Sequence, residues 1–122
     1  MINDGQVTVY VSDMDRAVKF YTDVLDLKLV LRAGDHYAQV QAGDGMVIGL
    51  HPAGEKSPKA GTSGSMSIGF STSEPIEDEV KRLEAKGVSF RGPIVDDGPV
   101  KLASFGDPDG NDLYLADTRG AH

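Results

Sequence analysis

Apolar and polar residues alternate near the start of the chain, where valine occupies every second position from Val7 to Val11. This spacing of two predicts a first strand over residues 6–11. Ser12 or Asp13 then caps a helix, which should end near Asp26. Its apolar stripe recurs every three or four residues and consists of Met14, Ala17, Val18, Tyr21, Val24 and Leu25. Three short strands are expected next, over residues 28–32, 37–42 and 46–51, separated by glycine-containing turns.

The same order of elements starts again after a stretch that lacks apolar periodicity. Residues 52–64 contain mainly Gly, Pro, Ser and Lys, which predicts a loop; whether it acts as a lid is left open. Every second residue from Met66 to Phe70 is apolar, which predicts another strand. Ser73 should cap a second helix that ends at Gly87. The last three strands are predicted over residues 88–91, 100–105 and 111–116.

A short acidic stretch, Asp107-Pro108-Asp109-Gly110, precedes the final strand. Proline in second place presets its φ, and glycine in fourth place tolerates a positive φ, so we interpret the stretch as a turn. Side chains alternate along a strand, which means that Tyr114 points away from the face that carries Leu113 and Leu115. The acidic residues are therefore explained as turn formers, and Tyr114 is the informative residue of this hairpin.

The pattern strand–helix–strand–strand–strand thus occurs twice, over about residues 5–51 and 65–117. Neither half is large enough to bury its own sheet, so we expect the two halves to share one core. The predicted fold class is α+β, with paired βαβββ modules in a single domain over residues 1–122, joined by the loop 52–64.

Composition narrows the classes of function without naming one. A formal net charge of −7 argues against nucleic acid, whose phosphates would repel this surface. The chain has no cysteine, which excludes disulfides and thiolate chemistry. Neither a signal peptide nor an apolar run of about 20 residues is visible, so we expect a soluble cytoplasmic protein without membrane contact.

The first half of the chain contains the segment VTVYVSDMDRAVKFYTDVLDLKL, and the segment FGDPDGNDLYL lies near the end. These two segments resemble the vicinal oxygen chelate superfamily, which includes glyoxalase I, bleomycin resistance proteins and extradiol dioxygenases. The resemblance covers nearly the whole chain. It implies paired βαβββ modules that form a curled mixed sheet around a cleft, usually in a homodimer. Asp26 departs from the family, which commonly has glycine after the first helix.

The resemblance also implies where a metal ion would be bound, at one position on the first strand and one on the last strand of each module. In this chain those positions are Gln6, Gly49, Ser65 and Tyr114. They offer neither a carboxylate nor an imidazole, the donors that zinc, iron, manganese or nickel need to compete with water. We therefore expect no metal cofactor. The alternative is a lyase, isomerase or dioxygenase that binds a divalent metal ion atypically through Gln6, His51 and Tyr114.

Strand parity places a set of uncharged, hydrogen-bonding and aromatic side chains on the cleft side. The predicted ligand-binding residues are Gln6, Thr8, Tyr10, Tyr37, Gln39, Gln41, Ser65 and Tyr114. His51 is the one imidazole there, either a catalytic general base or a structural residue at a strand end. Such a lining favours metal-independent binding of a small organic molecule, an antibiotic or metabolite, at a dimer interface. A third hypothesis is a structural or regulatory dimer that binds no small molecule.

Overall fold

The computed structural model describes residues 5–55, 57, 59–62 and 66–121. The chain divides into two compact units, residues 1–62 and 63–122. Each unit contains one mixed four-stranded sheet and one main helix. This arrangement is the α+β fold of paired βαβββ modules that the sequence predicts. Within the described residues, none of the helices is long and apolar enough to cross a bilayer.

The first unit follows the predicted order of elements closely. Its elements are β1 (Val7–Val11), α1 (Met14–Lys19), a π-helical segment (Phe20–Val24), β2 (Lys28–Ala33), β3 (Tyr37–Gln41) and β4 (Val47–Pro52). The strand order in the sheet is β1-β4-β3-β2. Strands β1 and β4 are parallel, whereas the other neighbours are antiparallel. The described residues after Pro52 form neither helix nor strand up to Thr62, in agreement with the predicted loop.

The first helix begins and ends where its sequence signals indicate. The Asp13 carboxylate accepts a hydrogen bond from the Arg16 N–H at 3.0 Å and caps α1. After Lys19 the helix continues as the π-helical segment, in which the Leu25 N–H donates to the Phe20 carbonyl at 3.1 Å. The buried part of its stripe consists of Met14, Ala17, Val18 and Tyr21.

The second unit repeats the pattern with differences in two elements. It consists of β5 (Ile68–Ser71), α2 (Ile76–Ala85), β6 (Val95–Asp97), β7 (Val100–Gly106), β8 (Asp112–Asp117) and a 3₁₀ turn (Arg119–Ala121). The strand order is β5-β8-β7-β6, with β5 and β8 parallel and the remaining pairs antiparallel. The topology is therefore the same as in the first unit.

The predicted cap of the second helix is wrong, because α2 begins at Ile76 and Ser73 lies outside it. Pro75 is the N-cap residue and makes no side-chain capping bond. Instead, the Ile76 N–H donates to the carboxylate of Asp117, at the end of β8, over 3.2 Å. A residue 41 positions away thus satisfies the helix start, which no local pattern can reveal.

The strand predicted over residues 88–91 is also wrong, since the corresponding strand is β6, a few residues later. Gly92 has a φ of 115°, and Pro93 has no N–H to donate to a ladder, so the chain cannot continue as a strand there. Residues 88–91 nevertheless contact the sheet: the Arg91 N–H donates to the Ser104 carbonyl at 2.8 Å, and the Phe90 ring lies 5.2 Å from the ring of Phe105 in β7.

The closing turn has the predicted structural role. The Gly110 N–H donates to the Asp107 carbonyl at 2.9 Å, and Gly110 has a φ of 88°. The Asp107 carboxylate, only 6% exposed, accepts from the backbone N–H groups of Asp109 and Asn111 at 3.0 and 2.9 Å. These bonds hold the loop that leads into β8, so the acidic residues act as turn formers.

Each sheet buries one face and leaves the other partly open. The buried face of the first sheet carries Val9, Val11, Ala38, Val40, Ile48 and Leu50. In the second unit the buried residues include Ile68, Ile76, Leu83, Ala103, Phe105, Leu113 and Leu115. The strand predicted to include Met66 begins only at Ile68, and Met66 itself is 69% exposed, so the predicted start of this strand is wrong.

Candidate functional site

Polar residues of β1, β3 and β4 share the open face of the first sheet, because the residues that alternate with them are buried. Thr8 lies opposite Gly49, and Tyr10 lies opposite His51 in the parallel pair. Gln39 of β3 lies on the other side of Gly49. We call this surface the polar face of the first sheet; it comprises Gln6, Thr8, Tyr10, Tyr37, Gln39, Gly49 and His51. The strand parity predicted for this sheet is confirmed.

Three of these side chains form one hydrogen-bonded network. The Gln6 Nε2 donates to the Tyr37 hydroxyl at 3.1 Å. The Gln39 Nε2 donates to the Gln6 Oε1 at 3.1 Å and to the same hydroxyl at 3.0 Å. All three groups are uncharged, and the hydroxyl that accepts from both amides keeps its own O–H as a donor. The network therefore holds Tyr37 in place with a donor that can reach a ligand.

The ring of Tyr37 covers Gly49, the position where the family resemblance implies a metal ligand. A Cβ added at Gly49 would lie 2.8 Å from the Tyr37 hydroxyl, which is closer than real Cβ contacts. The absent side chain thus makes room for the tyrosine. A longer side chain at Gly49 would require Tyr37 to leave the network.

A pocket opens beside Tyr10 and His51 on the same face. Its volume is about 490 Å³, and its lining also includes Glu55 and Ser57 from the following loop. The Tyr10 and His51 rings meet edge to face, with centroids 5.8 Å apart. This volume lies in the range of about 300–1,000 Å³ that small-molecule sites occupy. Glu55 and Ser57 were not among the predicted site residues, because a loop without periodicity carries no signal for the direction of its side chains.

The hydrogen bond of His51 decides which of its ring nitrogens is available. Its Nδ1 lies 2.9 Å from the Pro52 carbonyl oxygen. A carbonyl can only accept, so Nδ1 carries the hydrogen in this contact. In the neutral ring the other nitrogen, Nε2, then keeps its lone pair. His51 can accordingly accept a hydrogen bond, or a proton, from a molecule in the pocket.

The second sheet has a corresponding arrangement of tyrosine and glycine. Gly69 of β5 lies opposite Tyr114 of β8. A Cβ at Gly69 would clash with the Tyr114 ring, which lies across this glycine. Gly69 corresponds in register to Thr8, which lies opposite Gly49. Both sheets therefore present a tyrosine ring over a glycine.

This register changes one of the equivalences expected from the sequence. Counting back two residues from Thr8 gives Gln6, and counting back two from Gly69 gives Ser67. Ser67 is therefore the counterpart of Gln6, whereas Ser65 lies outside the described residues. Like Ser65, Ser67 offers one neutral hydroxyl, so this correction adds no strong metal donor to the set.

Two other predicted ligand-binding residues differ in what they can contribute. Thr8 is exposed on the polar face, beside Gly49. Gln41 donates from its Nε2 to the Gly45 carbonyl at 3.0 Å, so it stabilises the turn between β3 and β4. Thr8 is accordingly better placed to contact a ligand than Gln41.

The residues present do not fit a divalent cation. The described part of the chain contains no group of three His, Asp or Glu side chains that could hold a metal ion. Gln6 already uses its amide in the network with Tyr37 and Gln39. His51 lies opposite Tyr10, and four residues of strand separate Tyr10 from Gln6 by about 13 Å. The expectation that the protein binds no metal remains a prediction, now with this donor set as support.

The carboxyl groups with lowered pKa values lie away from the polar face. Hydrogen bonds from Arg32, Lys101 and Arg119 lower the pKa values of Asp15, Glu77 and Asp117, respectively. Asp15 and Glu77 lie on the two helices, and Asp117 is buried at the end of β8. These ion pairs are structural and do not mark a catalytic centre.

Comparison with solved structures finds the same fold in proteins of different function. TnmS3, an antibiotic binding protein from Streptomyces sp. CB03234, is 27% identical over 95% of this chain and 96% of its own, with a TM-score of 0.78. An integron cassette protein from the mobile metagenome of V. cholerae is 27% identical over 96% of this chain and 97% of its own, with a TM-score of 0.72. Lactoylglutathione lyase from Agrobacterium tumefaciens is 20% identical over 96% of this chain and 94% of its own, with a TM-score of 0.75. At this identity the similarity shows the fold alone.

The family comparison agrees with this fold and covers most of the chain. The model of the Glyoxalase/Bleomycin resistance protein/Dioxygenase superfamily matches residues 5–115, from the start of the first module into the last strand. The match includes both segments on which the resemblance was based. This chain belongs to the glyoxalase/bleomycin resistance protein/dioxygenase superfamily.

Proposed function

We propose that this protein binds a planar small organic molecule, an antibiotic or metabolite, without a metal ion. The polar face of the first sheet carries the binding residues. The observation that carries this proposal is the pocket lined by Tyr10 and His51 on this face. The uncharged network of Gln6, Tyr37 and Gln39 lies further along the same face. In this superfamily the fold supports several chemistries, so the function must be argued from these side chains.

The pocket beside Tyr10 supplies the space that such a ligand needs. The Tyr10 ring offers a flat apolar surface, and the Nε2 of His51 offers a hydrogen-bond acceptor. Glu55 provides a further acceptor, whereas the Ser57 hydroxyl already donates to the Gly54 carbonyl at 3.0 Å and accepts from the Gly54 N–H at 2.8 Å. Similarity to an antibiotic binding protein at 27% identity supports binding as the function, because that relative covers nearly the whole chain.

A thermal-shift screen tests the proposal directly. Protein without a His-tag is heated with planar antibiotics and aromatic metabolites, before and after treatment with EDTA. A ligand at 100 times its Kd stabilises the native state by about 2.7 kcal/mol, so a binder raises the Tm clearly. We expect at least one binder whose effect persists in EDTA and is lost in Tyr10→Ala. His36→Ala is the matched control, because His36 is exposed in a turn outside the pocket.

Metal analysis of the same protein preparation provides the opposing outcome. Stoichiometric zinc, iron, manganese or nickel, or binding that disappears with EDTA, would contradict the proposal in favour of the metal-dependent alternative. A screen without any binder would contradict binding at the polar face of the first sheet. If no other part of the protein binds a small molecule either, the structural or regulatory dimer is left.

The orientation of His51 favours a second candidate, catalysis without a metal in the same pocket. With Nδ1 bonded to the Pro52 carbonyl, Nε2 is the nitrogen that can remove a proton from a bound molecule. Incubation of any binder with the protein, followed by mass spectrometry, tests this. Turnover that falls at least about 100-fold in His51→Gln, with binding retained, would support it. An unchanged ligand mass would restrict the protein to binding.

A further inference from the structure

A second pocket, with a volume of about 370 Å³, opens on the polar side of the second sheet. Its wall includes Tyr114 and the hydroxyl-bearing residues Ser67 and Ser104. It also includes an ion pair, formed by Arg91 and Asp112. Arg91 lies in the irregular segment before β6, outside the strands on which the sequence predicts the site. The second unit therefore has a donor-rich pocket of its own.

Contacts on several sides hold the Arg91 side chain at this pocket. Its Nη1 donates to the Asp112 carboxylate at 2.5 Å, and its Nη2 donates to the Gly110 carbonyl at 3.2 Å. Its backbone N–H donates to the Ser104 carbonyl. A Cβ at Gly106 would clash with the guanidinium, so this glycine leaves room for it. The guanidinium is thus positioned from its backbone and from its tip, while 44% of the side chain remains exposed.

The chemistry of the pocket favours oxygen acceptors on a ligand. A guanidinium carries five N–H donors, and the contacts to Asp112 and Gly110 use two of them. The hydroxyls of Ser67, Ser104 and Tyr114 are further donors. Asp112 neutralises much of the Arg91 charge, so recognition depends on hydrogen bonds more than on net charge. Tyr114, whose ring lies across Gly69, supplies a flat wall beside these donors.

We propose that the pocket around Arg91 binds an aromatic molecule through a carboxylate or carboxamide oxygen, to which Arg91 donates. The inference rests on the proposed function, small-molecule binding, and adds the pocket of the second unit and the chemical group that it recognises. Ser104 donates to the same oxygen or its neighbour, and Tyr114 contacts the aromatic ring.

Three naphthalene probes with one ring system test this chemistry: 2-naphthoate, 2-naphthamide and 2-(aminomethyl)naphthalene. Affinities are measured by calorimetry, and the site is located by NMR shifts of backbone amides. We expect the two oxygen-bearing probes to bind and to shift the amides of Ser67, Ser104 and Tyr114. Arg91→Gln should weaken their binding at least about tenfold, since hydrogen bonds to charged groups contribute this much. Arg32→Gln is the matched control, because it breaks an exposed ion pair of the same length in the first unit.

Comparison of naphthoate with naphthamide shows whether the pocket recognises a charged carboxylate or any carbonyl oxygen. An equal loss for naphthoate and naphthamide in Arg91→Gln identifies a carbonyl-type acceptor, whereas a loss for naphthoate alone identifies an anion. If Arg91→Gln does not fold, Ser104→Ala serves instead, because Ser104 is exposed. Loss of its hydroxyl should weaken the binding of both oxygen-bearing probes about threefold or more.

The inference is wrong if naphthoate and naphthamide fail to bind the wild type, or bind the variants unchanged. It is also wrong if the aminomethyl probe binds best. Either of these negative results leaves the proposed function unchanged if the thermal-shift screen finds a ligand that binds at Tyr10 and His51. A failure of that screen with successful binding at Arg91 would instead contradict only the assignment to the first sheet.

Discussion

Tyr37 and Tyr114 each place a ring over a glycine of a neighbouring strand, at Gly49 and Gly69. In both sheets the tyrosine occupies space that a side chain at the glycine would need. The first of these rings is fixed by hydrogen bonds from Gln6 and Gln39. At the scale of single residues, the polar faces are therefore shaped by pairs of one large and one minimal side chain.

The pair of Gly69 and Tyr114 gives a direct test of this packing. Gly69→Ala should destabilise the protein by about 1–3 kcal/mol, because the new Cβ overpacks against the ring. Urea unfolding followed by circular dichroism measures the change. Gly54→Ala is the control, since no described residue lies within 4 Å of a Cβ there. Recovery of stability in the double variant Gly69→Ala/Tyr114→Ala would confirm the cause, and an unchanged single variant would contradict it.

Asp26 offers a second test at the scale of one residue. It has a φ of 59°, in the left-handed region where glycine has no steric cost. Asp26→Gly should raise the free energy of unfolding by about 0.5–1 kcal/mol, whereas Asp26→Ala should lower it. Chemical denaturation of both variants checks the prediction. If Asp26→Ala instead raised the free energy of unfolding, backbone strain at this position would not determine the stability of the variants.

At the scale of elements, Asp117 connects the last strand to the second helix. Its carboxylate accepts from the Ile76 N–H at the start of α2 and from the Arg119 side chain at 2.9 Å. Asp117 is buried, with 6% of its surface exposed. The Asp117 carboxylate therefore provides an acceptor both for a backbone N–H at the start of α2 and for the guanidinium of the following turn. In this way it connects β8 to α2.

This coupling predicts a dependence of stability on pH. The Arg119 side chain, followed by the backbone N–H groups of Arg119 and Ile76, holds the pKa of Asp117 well below its usual value. A carboxyl group whose pKa is lowered in the folded state stabilises that state fully above its unfolded pKa of about 3.9. This stabilisation is lost as the pH falls from the unfolded pKa towards the folded pKa. Asp117→Asn should lower the Tm by several degrees at pH 7. The difference in Tm between wild type and variant should become smaller as the pH is lowered from 4.5 to 2.5.

Thermal melts of wild type and variant across this pH range measure the difference. Asp15→Asn is a suitable control, because Asp15 pairs with Arg32 on the surface and should contribute less. A Tm difference that stays constant with pH would contradict the assignment to Asp117.

At the scale of the whole molecule, strand β2 is an edge strand of the first sheet within the described residues, and it carries exposed apolar side chains. Leu29, Val30 and Leu31 are 43%, 44% and 44% exposed, and the register shifts between Leu29 and Leu31. Exposed apolar edges promote association with another chain. We therefore propose a homodimer that buries this edge, in keeping with the dimer expected from the family resemblance.

Analytical ultracentrifugation tests the dimer. The double variant Leu29→Lys/Leu31→Lys should sediment as a monomer, because two charges at the edge oppose association. Val95→Lys, at an exposed apolar position of β6, the corresponding edge strand of the second sheet, should leave the mass unchanged. A monomeric wild type, or a monomer produced only by Val95→Lys, would contradict this location of the interface.

Periodicity was sufficient for most of the elements, but it failed where a distant residue or a break in the backbone decided the outcome. The start of α2 depends on Asp117, and the strand expected over residues 88–91 is displaced by the backbone at Gly92. Both errors concern contacts or conformations that a local pattern does not contain. In the first unit the cap of α1 is the neighbouring residue Asp13, and the elements were predicted to within a few residues.

The sequence by itself determined the fold class, the repeat and the parity of the first sheet, because alternation and helical spacing are local consequences of burial. At the positions where the family resemblance implies metal ligands, it places Gln6, Gly49 and Tyr114, which are neither carboxylates nor imidazoles. Only the tertiary structure decided that Tyr37 covers Gly49 and joins the glutamines. It also decided that Arg91 reaches Asp112, 21 residues away. These contacts depend on side-chain direction and strand register in three dimensions, which a one-dimensional pattern does not specify.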